Sequence, residues 1–106
     1  MLGNGAWAQN SSSEQTRLAE AKSAFDSGRW EVAATLARGP ADQSPDLDFV
    51  AGLALARLEK WSEARLAFEA GARKAPKDPR FLPELAGVSY KQKDFLISKE
   101  RLHQVL

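Results

Sequence analysis

The stretch EKWSEARLAF, residues 59–68, decides the fold because it sets a large tryptophan inside a strongly charged neighbourhood. Within it, Trp61, Ala64 and Phe68 recur at helical spacing, which predicts the buried face of an amphipathic helix. The arrangement recurs upstream in SGRWEVAATLA, from Ser27, and downstream in QKDFLISKERL, from Gln92. Aromatic residues at helical spacing usually belong to a core, so we expect Trp61 to be a packing residue rather than a ligand-stacking one.

Outward from this stretch, the positions of glycine, proline and capping residues predict six helices in three hairpins. Gly28 and Gly39-Pro40 are typical of helix ends, and Ser44-Pro45 and Asp78-Pro79 are typical of capped helix starts. Turns are expected at residues 59–60 and 92–94. No segment of useful length alternates between apolar and polar residues, so no strand is predicted and the fold class is all-α.

The hairpins recur at a nearly fixed period. Phe95 follows Trp61 at an interval of about 34 residues, and such a period of helix–turn–helix units is the signature of an α-solenoid. The interval from Trp30 to Trp61 is slightly shorter. Together with the small Gly52 and the closing Pro76, this pattern resembles the tetratricopeptide repeat family over nearly the whole chain after the amino-terminal tail.

The resemblance implies three helix–turn–helix repeats, at about residues 14–44, 45–78 and 79–106, stacked as a short right-handed α-solenoid. The positions that carry the structural pattern are Trp30, Gly52, Trp61, Ala64, Phe68, Pro76 and Phe95. Small residues let paired helices approach closely, and the aromatic residue fills the mouth of the hairpin.

The resemblance also implies a protein–protein interaction module, a scaffold or adaptor that binds a peptide or helix in a concave groove. The candidate groove residues are Lys22, Phe25, Phe49, Leu53, Arg57, Tyr90 and Lys91. Cations beside aromatic side chains favour an acidic or carboxylate-ended peptide. In the alternative interpretation, Arg57 and Lys91 form a solvated face and Tyr90 belongs to the core.

Composition and motifs argue against other classes of function. The formal net charge is +1 and no basic stripe is present, which disfavours nucleic-acid binding. The chain has no cysteine, and its single histidine, His103, has no partner at a metal-binding or catalytic spacing. We therefore expect no enzymatic activity, no cofactor and no metal. No apolar run approaches the roughly 20 residues of a membrane-spanning helix.

The amino-terminal residues suggest export. Ala6-Trp7-Ala8 followed by Gln9 resembles the end of a signal peptide, although a positive region and an apolar region do not precede it. Residues 1–13 are expected to be a disordered tail, and the capping run Ser11–Gln15 predicts the start of the first helix. The prediction is a periplasmic or otherwise exported bacterial envelope protein, and the alternative is a cytoplasmic one.

The last predicted helix carries apolar residues on more than one face, among them Leu96, Ile97 and Leu102. An uncapped solenoid exposes such residues. Two interpretations follow. Either further repeats belong to the parent protein, or this helix docks another chain, which makes structural self-assembly the alternative function.

Overall fold

The computed structural model describes the backbone of residues 2–105 and the side chains of residues 13–103, and this part of the chain is helical without strands. Its helices are α1 (Leu2–Asp26), α2 (Trp30–Ala37), α3 (Pro45–Arg57), α4 (Trp61–Lys74) and α5 (Phe81–Val105). The predicted all-α class is confirmed.

The first two hairpins turn in the same way. In the α1–α2 turn, the amide of Gly28 donates to Phe25 and that of Arg29 donates to Ala24, at 3.0 and 2.9 Å. In the α3–α4 turn, the amides of Glu59 and Lys60 make the corresponding bonds at the same two distances. Both are Schellman endings, in which one residue takes a left-handed backbone conformation. Gly28 has φ 79° and Glu59 has φ 59°.

The identical turns place Trp30 and Trp61 at the same point, the first residue of α2 and of α4. Each helix packs against its neighbours in sequence, and α1 also packs against α3. The first helices of the two hairpins, α1 and α3, are therefore in contact and share a surface.

A close approach between α3 and α4 lies at the centre of the core. Phe68 is fully buried, and its ring covers Gly52 so tightly that a Cβ added there would lie 2.5 Å from Cε1 of the ring. Gly71 has the same relation to the buried ring of Phe81, the first residue of α5. Ala64 completes this layer with no exposed surface. The two glycines are thus required by packing.

The prediction of a sixth helix is wrong, because α5 runs without a break through residues 92–94. Helix propensity supplies the physical reason. Lysine and glutamine extend helices well, and Lys93 stands where Gly28 and Glu59 adopt positive φ. A left-handed lysine costs about 1 kcal/mol or more, whereas extending an existing helix adds a hydrogen bond per residue.

Two predicted helix starts are also displaced. Helix α1 begins at Leu2 rather than at the capping run Ser11–Gln15, since a serine run is compatible with a helix interior. Helix α5 begins at Phe81 rather than at Asp78-Pro79, because the carboxylate of Asp78 accepts from the amide of Arg80 within a preceding turn. The start of α3 is confirmed, with Ser44 accepting from the amide of Leu47 at 3.4 Å.

The left-handed turn residues generate a matched pair of substitutions. Gly28→Ala is expected to lower the free energy of unfolding by about 1 kcal/mol, because alanine is strained at positive φ. Glu59→Gly is expected to raise it by a similar or smaller amount, since it relieves that strain. Urea unfolding followed by circular dichroism measures both. Equal effects of the same sign would contradict the shared turn geometry.

Candidate protein-interaction surface

Helices α1 and α3 bring two of the predicted groove residues together. Phe25 of α1 is half-buried, and the guanidinium carbon of Arg57, at the end of α3, lies 5.6 Å from the centre of its ring. The same guanidinium lies 5.9 Å from the ring of Trp30. Cations over aromatic faces are attracted by the ring quadrupole. Arg57 is thus oriented by two rings while the residue stays exposed.

The other end of the α3 stripe is more enclosed. Phe49 is half-buried, with its ring centre 5.7 Å from that of Phe68 and 5.4 Å from that of Phe81. The guanidinium carbon of Arg80 lies 4.6 Å from its centre. Phe49 therefore contributes mainly to packing. Leu53, also half-buried, lies between Phe49 and Arg57 on the same face of α3.

Arg80 is fixed by two carboxylates, which distinguishes it from Arg57. Its Nη2 donates to Asp46 of α3 and to Asp78, each at 2.7 Å. The hydrogen bonds from Arg80 hold the pKa of the Asp78 carboxyl below its usual range, and those carboxylates raise the pKa of Arg80. Arg80 joins α3 to the loop before α5. Its charge is already neutralised.

The remaining groove residues are exposed and stand apart from this junction. Lys22 lies on α1 and Lys91 on α5, both exposed. Tyr90 is 72% exposed, so the interpretation that it belongs to the core is wrong. Among the described side chains, no ion pair, ring contact or side-chain hydrogen bond joins Tyr90 or Lys91 to Arg57.

The structural repeat positions fall into two groups. In the first two hairpins Trp30 and Trp61 are half-buried, as the sequence predicts for residues at a hairpin mouth. Pro76 is exposed in the loop after α4. Phe95, by contrast, lies in the middle of α5 and is 54% exposed, because the hairpin whose mouth it was expected to fill is not formed.

A polar cluster that the sequence analysis did not identify lies on the opposite side of α3. Gln43 is 4% exposed and donates to the carbonyl of Ala37 at 2.9 Å and to Asp48 at 3.0 Å. Arg17 donates to the Gln43 amide oxygen at 2.7 Å. Lys74 donates to both Asp48 and the Gln43 carbonyl, each at 2.7 Å.

This cluster connects α1, the α2–α3 loop, α3 and α4 through Arg17, Gln43, Asp48 and Lys74. Buried polar groups that pair with one another fix the relative position of the elements that carry them, although the Nε of Arg17 is buried without a hydrogen-bond partner. The only signal in the sequence is Asp48, an acidic residue within the otherwise apolar run of α3. We assign the cluster a structural role, because the carboxylate of Asp48 is neutralised by Lys74 and both are bound within the fold.

Comparison with known proteins finds no matching family model, no similar curated protein and no similar solved structure. The tetratricopeptide resemblance therefore stays a prediction. Within the described residues, no helix is both long and apolar enough to cross a membrane. The same residues contain no group of three or more metal-ligating side chains.

Lys74→Met tests the structural role of the polar cluster. The substitution leaves the carboxylate of Asp48, whose side chain is 8% exposed, without its cation, and we expect the free energy of unfolding to fall by about 2 kcal/mol. Lys77→Met, at an exposed loop position nearby, is the control and is expected to change it by less than about 0.5 kcal/mol. Urea unfolding compares the two, and equal losses would reject the assignment.

Proposed function

We propose that this chain is a protein-interaction module that binds an acidic or carboxylate-ended peptide on the surface shared by α1 and α3. We call this the α1–α3 surface and define it by Lys22, Phe25, Leu53 and Arg57. The proposal is a binding function without chemistry at the site.

The state of Arg57 is the observation that carries the proposal. Its guanidinium is positioned by the rings of Phe25 and Trp30, and no carboxylate among the described side chains lies within ion-pair distance of it. Arginines that serve only the fold are commonly satisfied internally, as Arg80 is by Asp46 and Asp78. A guanidinium that is oriented but unpaired offers its donors to an incoming carboxylate.

The neighbouring side chains extend this chemistry. Phe25 is half-buried beside the guanidinium and Leu53 is half-buried one turn before Arg57 on α3, so a ligand there meets apolar surface as well as charge. Lys22, one turn before Phe25 on α1, adds a second exposed cation. The combination suits a peptide that alternates acidic and apolar residues. The resemblance to tetratricopeptide repeats supports the same surface, since that family binds peptides through the first helices of its repeats.

Lys91 belongs to the proposed site only if the bound peptide extends from α1 and α3 onto α5. The repeat spacing aligns Lys91 of α5 with Arg57 of α3, one period apart in the sequence, but Lys91 has no aromatic support. A peptide that spans α1, α3 and α5 would contact both cations. We therefore expect Arg57 to contribute more to affinity than Lys91.

The double substitution Arg57→Glu with Lys91→Glu tests the proposed function. The probe is a fluorescein-labelled peptide of alternating glutamate and leucine with a free carboxylate, and its affinity is measured by fluorescence anisotropy. We expect the double variant to weaken binding about tenfold or more with unchanged helicity by circular dichroism. The single variant Arg57→Glu should account for most of the loss.

Arg73→Glu with Lys77→Glu is the matched control. It changes the net charge by the same amount at exposed positions of α4 and the following loop, away from the α1–α3 surface. Its binding should stay close to that of the unaltered chain. Equal weakening in both double variants would show attraction by overall charge alone, and an unaltered chain that does not bind the probe would reject the proposal.

Self-assembly is the second candidate function, and a specific observation favours it. Leu82, Tyr90, Phe95, Leu96 and Leu102, all on α5, are between 54% and 73% exposed. Large apolar side chains gathered on one helix are typical of an interaction surface. These side chains lie on more than one side of α5, and none of them belongs to the α1–α3 surface.

Export from the cytoplasm stays a prediction. Its residues, Ala6 and Ala8, lie outside the described side chains.

A further inference from the structure

Beside α4, helix α5 has an open face. A groove of about 350 Å³ lies there, and Arg65 of α4 and Ser89, Lys93 and Ile97 of α5 line it. The Nε of Arg65 is buried in this region without a hydrogen-bond partner. Along the same face of α5, Leu82 is 73% exposed.

The preceding hairpin shows which element covers the corresponding face of its first helix. One repeat period earlier, the corresponding face of α3 is covered by α4, whose Phe68 lies against Gly52. The position that corresponds to Gly52 on α5 is Ala86, which is exposed. The face of α5 around Ala86 is therefore a vacant seat for a helix that resembles α4. We call it the α5 seat and define it by Leu82, Ala86 and Ser89.

The end of α5 has the sequence of such a helix. Phe95, Ser98 and Leu102 correspond, one repeat period later, to Trp61, Ala64 and Phe68 of α4. The sizes of the contact residues also compensate.

In the α3–α4 pair, a large phenylalanine covers a glycine, whereas a smaller leucine, Leu102, would cover the larger Ala86. Close packing favours such volume-conserving exchanges.

The charges beside this contact are complementary. In the preceding hairpins, Arg38 at the end of α2 and Ala67 of α4 line one cavity. One repeat period later, the corresponding positions are occupied by Glu69 of α4 and Arg101 of α5. A segment placed in the α5 seat therefore brings its Arg101 next to Glu69, which already pairs with Arg65 at 3.8 Å and would be shared between the two guanidiniums.

The segment does not reach the seat of its own chain. Helix α5 is continuous from Phe81 to Val105, so Leu102 is carried away along the helix axis from Ala86. The two positions are about 16 residues apart (102 − 86), which at about 100° per residue places them about 160° apart around the axis. The seat and the segment thus lie on nearly opposite sides of one helix.

We propose that the carboxyl-terminal half of α5, residues 95–105, docks antiparallel into the α5 seat of a second copy of this chain. Because each copy presents its seat and its segment on opposite sides of α5, one pair of copies leaves a free seat and a free segment. The contact is therefore heterologous, and association proceeds head to tail. This inference gives a mode to the self-assembly function and is independent of the α1–α3 surface.

Sedimentation velocity of the full chain over a range of concentrations tests the proposal. We expect the weight-average mass to rise with concentration beyond the mass of two chains. Leu102→Asp, which removes the apolar residue of the segment, and Ala86→Arg, which blocks the seat, should each raise the dissociation constant about tenfold or more. Both positions are exposed, so the fold itself should persist in the variants. Leu82→Asp supplies a second seat variant.

Mixing the two variants gives the sharpest result. Ala86→Arg keeps its segment and Leu102→Asp keeps its seat, so an equimolar mixture should form one-to-one dimers that do not grow further. Val32→Asp, at a 44% exposed position of α2, is the matched control and should assemble like the unaltered chain.

Three results would overturn the proposal. They are a monomer at every concentration, a mass that stops at two chains, and assembly unchanged by the seat and segment variants. Peptide binding by the α1–α3 surface should survive in both Ala86→Arg and Leu102→Asp, which keeps the outcome separate from that of the proposed function.

Discussion

The contact of Phe68 with Gly52 is the constraint on which the rest of this fold depends. It sets the closest approach in the α3–α4 pair, and the buried Phe81 repeats it one step further along against Gly71. A side chain at either glycine would push the helices apart and open the core that Ala64 and Leu47 complete. The spacing of the α3–α4 pair is consequently fixed by packing, and α1, α2 and α5 contact this pair.

The polar cluster works together with this apolar contact. Apolar packing is not directional, so by itself it allows neighbouring helices to slide. The bonds that link Arg17, Gln43, Asp48 and Lys74 are directional, and they join four parts of the chain on the side of α3 away from the α1–α3 surface. That surface can therefore present Arg57 in a fixed place, while its Phe25 and Leu53 pack against the core.

Local periodicity predicts most of the first two hairpins. Trp30 and Trp61 begin α2 and α4, Ser44 caps α3, and Phe68 is buried, because each of these features depends on residues within a few turns. The proximity of Phe25 and Arg57 follows from the packing of α1 against α3.

Two features of the fold could not be predicted from local periodicity. They are the polar cluster, whose residues are distant in the sequence, and the continuous α5, in which helix extension competes with a turn. The polar cluster joins residues that are far apart in the sequence and share no period, so the sequence offers only Asp48 as a signal and does not indicate its partners.

The same repeat spacing predicts a third hairpin, but the spacing carries no information on the free energy of forming its turn. The left-handed turn costs about as much at Lys93 as at Glu59, but the α3–α4 hairpin offsets that cost by packing Phe68 against Gly52. At residues 92–94 helix extension prevails, since lysine and glutamine favour a helix.

The α5 seat and the segment of residues 95–105 have one physical cause, which is that α5 is continuous. A helix already nucleated by the packing of Phe81 and Val88 extends cheaply through Gln92 and Lys93, since nucleation is the costly step. Among the described residues, extension leaves Phe95 and Leu102 exposed and the α5 seat uncovered. In the proposed assembly a second copy buries these side chains, whereas the α1–α3 surface is formed within one copy. The dissociation constant for the peptide should accordingly be independent of protein concentration, whereas the degree of self-association should rise with it.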